Sequence, residues 1–353
     1  MTEQQGRLLV IRGGAIGDFI LTLPVLAALR ARLPEAHLTV LGYPHIVALA
    51  LAGGLADEVR PIEARGLASF FNARAEPPPD LAQFFAGFAV IVSYLYDPDG
   101  VFERNVRRCS GAIFIQGPHR PDEGGSVHAA EVFLKPLEQL AIFDADPCPR
   151  LQLSMNLQQV GRAVPRPPPP ACQGQRALPW DGGSWSLSMA ARPEGSPIHR
   201  AAAGSHGLTL AVHPGSGSEK KNWPEACWAA VLERLGPRPG LRLLLLGGEA
   251  EGDRLDRLAR LWPVDRLELA RSLPLVQVAE RLAASHAFAG HDSGITHLAA
   301  ALGLPGLVLW GDTNEVIWRP RSERMRLLHG PAGLASIEVA RVEAAFLELL
   351  AGT

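Results

Sequence analysis

Three short loops hold the residue types best suited to chemistry, and each follows an apolar run that is typical of a strand. The first loop, Arg12–Asp18, contains Gly14 and Gly17 and ends in an acid. Its glycines do not fit the dinucleotide fingerprint G-x-G-x-x-G, because Arg12 occupies the place of the first glycine. Asp18 is therefore interpreted either as a general base or as a residue that only caps the following helix.

The second loop, His213–Pro224, has the composition of a diphosphate site. Its glycines allow backbone N–H groups to approach a ligand, its serines add hydroxyl donors, and its lysines add positive charge. The chain contains only three lysines, and two of them are neighbours here. The P-loop spacing is absent, and a solvated turn is the alternative interpretation. The predicted donor-binding residues of this loop are Ser216, Gly217, Ser218 and Lys221.

The third loop, Gly290–His297, also lies between a strand and a helix. Asp292 is placed to cap that helix, while Ser293 and Gly294 can bind phosphate through main-chain N–H groups. His297 lies in the first turn, where its ring can either reach an anion or serve the structure. An acid in the first half of the chain and cations in the second suit group transfer from an activated diphosphate. Gly247 and Glu249, which follow a strand, are predicted to contact the nucleoside, and Leu273 is predicted to line a pocket for its base.

Apolar runs alternate with helix-like segments on both sides of a proline-rich stretch. Such alternation predicts βαβ units with parallel sheets. Expected strands are residues 7–12, 37–42, 88–95, 112–116, 208–213, 241–246, 287–290 and 307–310. Expected helices are residues 18–33, 126–140, 224–234, 252–261, 275–284, 297–302 and 337–350.

With 353 residues, the chain is expected to form two domains. We predict an α/β acceptor domain over residues 1–160, a Pro/Gly/Ser-rich insertion over 161–207 and an α/β donor domain over 208–353. Two Rossmann-like domains of this kind would face each other across a cleft. In open α/β sheets, ligands bind at the carboxyl ends of the strands.

The composition narrows the class of protein. A net charge of −2 gives no global field for nucleic acid, so no nucleic-acid partner is expected. The longest apolar stretch, His297–Trp310, is too short to cross a bilayer and is interrupted by Gly303 and Pro305. Four scattered cysteines suggest neither a disulfide framework nor a metal site. A cytoplasmic location is therefore predicted.

Three segments of the sequence resemble one protein family. They are RGGAIGDFILTLPVLAALR, HPGSGSEKKNWP and GHDSGITHLAAALGLP, and a Trp310–Thr313 segment follows the last of them. Together, and in this order, they are similar to glycosyltransferase family 9, the lipopolysaccharide heptosyltransferases. His128–Glu131 also resembles the family's H-A-x-E segment. The family usually has Gly-Pro-Thr-Asp where this chain has Gly311–Asn314.

The resemblance implies a GT-B fold and inverting transfer of a heptose from ADP-heptose to a lipopolysaccharide core acceptor. Asp18 would be the general base, with no metal and no tightly bound cofactor, and the nucleotide sugar would be a co-substrate. Residues that would hold the donor are Ser216, Lys221, Asp292, Ser293, Gly294 and His297.

Basic residues of the first half suit an acidic acceptor, such as a phosphorylated or Kdo-bearing glycolipid. A solvated arginine face is the alternative. A glycolipid acceptor would bring the protein to the cytoplasmic face of the inner membrane. The predicted acceptor-binding residues are Arg12, Gly14, Arg104, Arg107 and Arg120. Two other functions fit the same loops: a sugar-nucleotide epimerase of the GT-B type, and a non-catalytic nucleotide-sugar-binding protein.

Overall fold

The structure is a computed structural model that describes residues 6–153, 185–186 and 207–352. The chain divides into two compact units. The first consists of Met1–Pro147 and Gln152–Pro197, and the second of Cys148–Leu151 and Ile198–Thr353. The predicted insertion over 161–207 lies outside the described residues, apart from positions 185, 186 and 207.

The first unit is built on a six-stranded sheet with the order β5-β4-β1-β2-β3-β6. Its strands are parallel except for β6, which pairs antiparallel with β3. The central strand β1 is almost wholly buried, as expected of a parallel strand covered on both faces. The strands are β1 (Arg7–Arg12), β2 (His37–Gly42), β3 (Glu58–Pro61), β4 (Val90–Ser93), β5 (Ile113–Gln116) and β6 (Trp185–Ser186).

Helices connect these strands. Phe85 and Phe102 from two of them pack with Leu9 and Ile91 in the core of the unit. The helices are α1 (Ile16–Ile20), α2 (Leu23–Arg32), α3 (Pro44–Ala52), α4 (Pro79–Ala86), α5 (Val101–Cys109) and α6 (Ala129–Leu134).

The single helix predicted over residues 18–33 is wrong, because α1 and α2 are separated at Leu21 and Thr22. Pro24 has no N–H to continue the helical ladder, and it occupies the first turn of α2, where no such bond is needed. The Thr22 hydroxyl instead donates to the Asp18 carbonyl oxygen at 2.8 Å. The break therefore directly follows the short helix that carries Asp18.

The second unit repeats the design with the sheet order β12-β11-β10-β7-β8-β9, in which every strand pair is parallel. Trp223 and Trp228 pack edge to face, at 5.3 Å between ring centroids, in its core. The strands are β7 (Leu208–Val212), β8 (Leu241–Gly247), β9 (Leu267–Arg271), β10 (Ala287–His291), β11 (Gly306–Trp310) and β12 (Met325–His329). The helices are α7 (Glu225–Leu235), α8 (Arg254–Ala259), α9 (Leu275–Ala283), α10 (Gly294–Ala301), α11 (Glu315–Trp318) and α12 (Val339–Ala351).

Both sheets have the strand order of the Rossmann fold, in which successive strands are added first on one side of β1 or β7 and then on the other. The predicted α/β architecture with two Rossmann-like halves is confirmed. The switch points lie between β1 and β4 and between β7 and β10, where ligands of open α/β sheets bind. Each predicted chemical loop leaves the carboxyl end of a strand at one of these points. In the part of the chain that the structure describes, no helix is both long and apolar enough to span a bilayer.

Candidate active site

At the switch point of the second sheet, the loops that follow β7 and β10 meet through an ion pair. The Lys221 Nζ lies 2.6 Å from the Asp292 Oδ2. The lysine side chain is 44% exposed, whereas that of Asp292 is only 10% exposed. The ammonium group is therefore held by a buried carboxylate and remains accessible to a ligand.

Local hydrogen bonds shape the His213–Pro224 loop. The buried Ser216 hydroxyl donates to the Ser218 carbonyl oxygen at 2.7 Å and accepts from the Ser218 N–H at 3.2 Å. Ser218 precedes the short 3-10 turn Glu219–Lys221, which carries both lysines. The Ser216 side chain thus orders the turn that presents Lys221, and Gly217 beside it is exposed.

The two glycines of this loop have different surroundings. A Cβ atom on Gly215 would lie 1.9 Å from the Glu251 Oε1, whereas a Cβ on Gly217 would meet nothing within 4 Å. Gly215 is required by the approach of a buried carboxylate, and Gly217 borders open space.

A buried histidine holds the loop against the sheet. The His291 Nε2 accepts a 2.8 Å hydrogen bond from the Trp223 N–H, and its Nδ1 lies 3.3 Å from the Gly215 carbonyl oxygen. This pattern assigns the proton to Nδ1, which donates to the carbonyl. Burial lowers the pKa of His291 to about 3, so the ring is a neutral brace at physiological pH.

Sequence reasoning missed a polar cluster beneath the loop. Burial lowers the pKa of His213, whose Nε2 lies 3.8 Å from the Glu251 Oε1. Glu251 also accepts a hydrogen bond from the Gly248 N–H at 2.5 Å. The Ser293 hydroxyl lies 3.5 Å from the His213 Nδ1. The sequence feature that could have indicated this cluster is Glu251, the second acid of the Gly-Gly-Glu-Ala-Glu segment at the end of β8. The segment turns back towards the loop.

The cap of α10 is Ser293 rather than Asp292, so the predicted capping role of Asp292 is wrong. The Ser293 hydroxyl accepts the Thr296 N–H at 3.3 Å, and the Thr296 hydroxyl donates to the His291 carbonyl oxygen. The Asp292 side chain does not cap the helix and pairs with Lys221 instead. The His297 side chain is buried, 5% exposed, in the first turn.

The three predicted nucleoside contacts lie at the carboxyl ends of neighbouring strands. Gly247 ends β8, and its carbonyl oxygen accepts the Ser272 N–H at 2.8 Å, so the loop carrying Leu273 is tied to it. Leu273 is half-buried and Glu249 is exposed. A Cβ on Gly247 would lie 2.5 Å from the Leu255 side chain, so this glycine allows the close packing of α8.

In the first unit, Asp18 is held in the first turn of α1. Its Oδ2 accepts the Ala15 N–H at 3.0 Å, and its Oδ1 lies 3.6 Å from the Arg12 Nη2. Gly14 has a φ of +100°, and a Cβ there would lie 2.8 Å from the Asp18 Oδ2. The predicted capping contact therefore exists, but it involves only one oxygen of the carboxylate. The side chain remains 12% exposed.

Arg12 is buried beneath this loop with its side chain only 2% exposed. Its Nη1 donates to the His119 carbonyl oxygen at 2.9 Å, and its guanidinium lies 4.3 Å from the centre of the Phe133 ring. Burial lowers the pKa of Arg12, and the Asp18 charge acts in the opposite direction. This position favours a supporting role over the predicted direct contact with an acceptor.

The other predicted acceptor arginines separate into two groups. Arg120 is exposed and close enough to Arg12 for its charge to lower the pKa of Arg12 further. Arg104 donates to the Asp99 carbonyl oxygen at 2.7 Å. Arg107 pairs with Glu103 on the same helix and donates to the Phe114 carbonyl oxygen. Of these arginines, Arg120 is therefore the one shown to lie near the Asp18 loop.

Sequence reasoning also missed an aromatic pair beside Arg120. Tyr96 follows β4, is 65% exposed, and its ring centroid lies 4.6 Å from that of His119. The two loops are tied together, since the Gln116 side chain donates to the Leu95 carbonyl oxygen at 2.9 Å. No group of three or more metal-ligand side chains occurs within residues 6–153, 185–186 and 207–352.

Solved structures share the whole architecture. A glycosyl transferase of family 9 from Veillonella parvula covers all of this chain and 99% of its own, at 17% identity and a TM-score of 0.72. The Escherichia coli heptosyltransferase WaaC with ADP covers 97% of this chain and 99% of its own, at 18% identity and a TM-score of 0.64. The two Rossmann-like sheets thus define a GT-B fold.

The sequence comparisons find similarity to one family. Residues 185–341 match the model of glycosyltransferase family 9 (heptosyltransferase). The lipopolysaccharide heptosyltransferase 1 of Pseudomonas aeruginosa is 42% identical over 97 residues, which is 27% of this chain. The lipopolysaccharide heptosyltransferase 3 of Escherichia coli is 22% identical over 320 residues, covering 88% of this chain and 84% of that protein. The part of the chain from residue 185 to residue 341 is therefore similar to glycosyltransferase family 9. Its match to the Pseudomonas relative spans 26% of that protein's length.

Proposed function

We propose that the protein transfers a heptose, with inversion, from ADP-heptose to an acidic glycan acceptor of the lipopolysaccharide core type. One observation carries the proposal: Lys221, fixed at 2.6 Å by Asp292, presents a half-exposed cation at the switch point of the second sheet. The similarity of residues 185–341 to family 9 supports the reaction class. The name of a relative solved with ADP supports the choice of nucleotide.

The donor diphosphate is proposed to bind between the turn that carries Lys221 and the N-terminus of α10. The ammonium group can donate to phosphate oxygens, and the positive end of the eight-residue helix adds to its field. Both offset the negative charge that grows on the departing nucleoside diphosphate. Ser216, Gly217, Ser218, Ser293, Gly294 and His297 line or support these two turns, while Gly247, Glu249 and Leu273 serve the nucleoside.

Asp18 is proposed as the general base. Its carboxylate takes the proton of the acceptor hydroxyl as that oxygen attacks the anomeric carbon. The bond from that carbon to the diphosphate oxygen breaks on the opposite face, so a single displacement inverts the configuration. No covalent intermediate, metal or tightly bound cofactor is part of this proposal.

The acceptor is proposed to bind beside Asp18, where Arg120 provides positive charge for an acidic sugar or phosphate. The Gly14 turn and the Tyr96–His119 pair border the same loop. Arg104 and Arg107 are proposed to add longer-range attraction. We place the reaction in the cytoplasm, with a lipid-linked acceptor at the cytoplasmic face of the inner membrane.

The direct test is transfer from ADP-heptose to deacylated lipopolysaccharide core, followed by release of ADP and by mass spectrometry of the glycan. Replacing a general base lowers rates by about 10²- to 10⁴-fold, so Asp18→Asn should lose kcat by that factor. Its affinity for ADP should stay at the wild-type value.

Three outcomes separate the proposal from its rivals. Consumption of the nucleotide sugar without acceptor, giving an isomeric sugar nucleotide, would identify an epimerase. Tight binding of ADP-heptose without turnover on any core fraction would identify a binding protein. Wild-type turnover by Asp18→Asn would remove Asp18 as the base.

A further inference from the structure

Arg12 is an unusual residue for its position. It ends the central strand β1, immediately before Gly13 and the positive-φ Gly14, where other Rossmann-like folds have small residues. Its side chain is 2% exposed, and its Nε has no hydrogen-bond partner among residues 6–153, 185–186 and 207–352. A buried cation with an unsatisfied N–H is costly to the fold, and buried ion pairs are weak evidence for stability. A role in the site is the better explanation.

The guanidinium contacts Asp18 at two places. Its Nη2 lies 3.4 Å from the Asp18 carbonyl oxygen and 3.6 Å from the Asp18 Oδ1. The second carboxylate oxygen is occupied by the Ala15 N–H. The carboxylate is thus held from two sides, and the rotation about its side-chain bonds is restricted.

The guanidinium is itself immobilised by groups outside the loop. Its Nη1 donates to the His119 carbonyl oxygen, after β5. Its carbon atom lies over the Phe133 ring of α6 at 4.3 Å and 5.6 Å from the centre of the Tyr94 ring. The Tyr94 hydroxyl in turn donates to the Phe133 carbonyl oxygen at 2.5 Å. The segments that follow β4 and β5, together with helix α6, therefore fix one planar group, and that group contacts Asp18.

We propose that Arg12 is the positioning residue of the transfer reaction: it acts through Asp18, and it sets the location of that carboxylate relative to the His119–Arg120 segment. The inference rests on the proposed function, in which Asp18 is the base. Only a planar group with donors on both sides can reach Asp18 and the His119 carbonyl together, so lysine is not an equivalent replacement.

The test is a double-mutant cycle of Arg12→Met and Asp18→Asn, with turnover of ADP-heptose on deacylated core as the readout. In the Asp18 background, Arg12→Met should lower kcat by about 10²-fold, the effect of a reacting group displaced by an ångström. In the Asp18→Asn background the same substitution should change kcat by less than about threefold, since the group through which Arg12 acts is gone. The KM for ADP-heptose and the Kd for ADP should not change.

Equal losses in both backgrounds would overturn the inference, because they would show that Arg12 acts independently of Asp18. Wild-type kcat in Asp18→Asn alone would instead remove the proposed base, so the two failures are distinguishable. Arg12→Lys keeps the buried charge and is the second variant if Arg12→Met fails to fold. It should bind ADP normally and lose kcat only when Asp18 is present. Full activity of Arg12→Lys would show that the planar guanidinium is not needed.

Discussion

The two switch-point loops use the same pair of charges in opposite order. In the first unit the cation Arg12 supports the more exposed carboxylate Asp18; in the second the carboxylate Asp292 supports the more exposed cation Lys221. The supporting member is 2% exposed in one case and 10% in the other, while the supported members are 12% and 44% exposed. The two units share a fold, and they differ in whether the acid or the base of the ion pair is the member more exposed to a ligand.

The supports also differ in kind. Arg12 is permanently charged and is fixed by carbonyl oxygens and aromatic rings. The second loop is braced instead by the buried neutral histidines His213 and His291. The first site should therefore tolerate mild acid, and the second should not.

The largest expected effect is the pH dependence of this second brace. The pKa of His291 is about 3 in the folded protein, that of His213 is also lowered, and both are about 6.5 when unfolded. Below pH 6.5 these histidines bind protons in the unfolded chain but not in the folded unit. The free energy of unfolding therefore decreases as the pH decreases, by up to about 1.4 kcal/mol per pH unit for each histidine.

The first unit has the opposite kind of group. Burial acts to raise the pKa of Glu58, but the hydrogen bond with His37 and the charges of Arg60 and Arg7 outweigh it and hold the pKa at about 2, below its usual 4.5. The contribution of Glu58 to stability is therefore present above pH 4.5 and is lost only as the pH falls towards 2. Urea unfolding at pH 7, 6 and 5 can be followed by tryptophan fluorescence, since five of the seven tryptophans lie in the second unit. The midpoint should fall, and His291→Gln should flatten its slope. A constant midpoint would contradict the prediction.

Gly14→Ala should be the most damaging small substitution in the first loop. Gly14 has a positive φ, and the new Cβ would lie 2.8 Å from the Asp18 Oδ2, so the carboxylate must move. We expect kcat to fall by about 10²-fold, with ADP affinity unchanged. Gly13→Ala is the matched control, because its Cβ would make ordinary van der Waals contacts with Leu95 at 3.6 Å and Ile62 at 3.7 Å. Equal kcat values for the two variants would show that Asp18 does not need its present position.

Several of these features could be read from the sequence and others could not. Strand β1 was predicted with its observed ends, because its buried residues form one continuous apolar run. Strands β3 and β12 were missed, since they are short and half polar. Lys221 and Asp292 were each selected by type, but their pairing spans 71 residues and needs the sheet order. Glu251 and the burial of Arg12 depend on packing that no local pattern encodes.

Lys221→Ala should weaken ADP binding by about 1.5–3 kcal/mol, or roughly 10- to 150-fold, because a charge-assisted phosphate contact is lost. The substitution also leaves the Asp292 carboxylate without its 2.6 Å partner beside the phosphates. Lys220→Ala removes the same charge from the exposed neighbouring position and should change the Kd by less than about threefold. Isothermal titration of both variants with ADP decides the matter. Equal losses of ADP affinity in the two variants would mean that net charge alone attracts the nucleotide. That result would contradict the contrast drawn between a cation supported by an acid in the second unit and an acid supported by a cation in the first.

Gly215→Ala has the smallest expected effect and separates the support of the second loop from its chemistry. The new Cβ would lie 1.9 Å from the Glu251 Oε1 and must displace that carboxylate from its contact with the Gly248 N–H. Overpacking of this kind costs about 1–3 kcal/mol, which should appear as a lower urea midpoint. Gly217→Ala enters open space and should leave the midpoint unchanged. If Gly217→Ala alone weakens ADP binding while Gly215→Ala alone lowers stability, the exposed glycine faces the ligand and the buried one faces the brace. If both variants lose only stability, Gly217 has no place in the donor site.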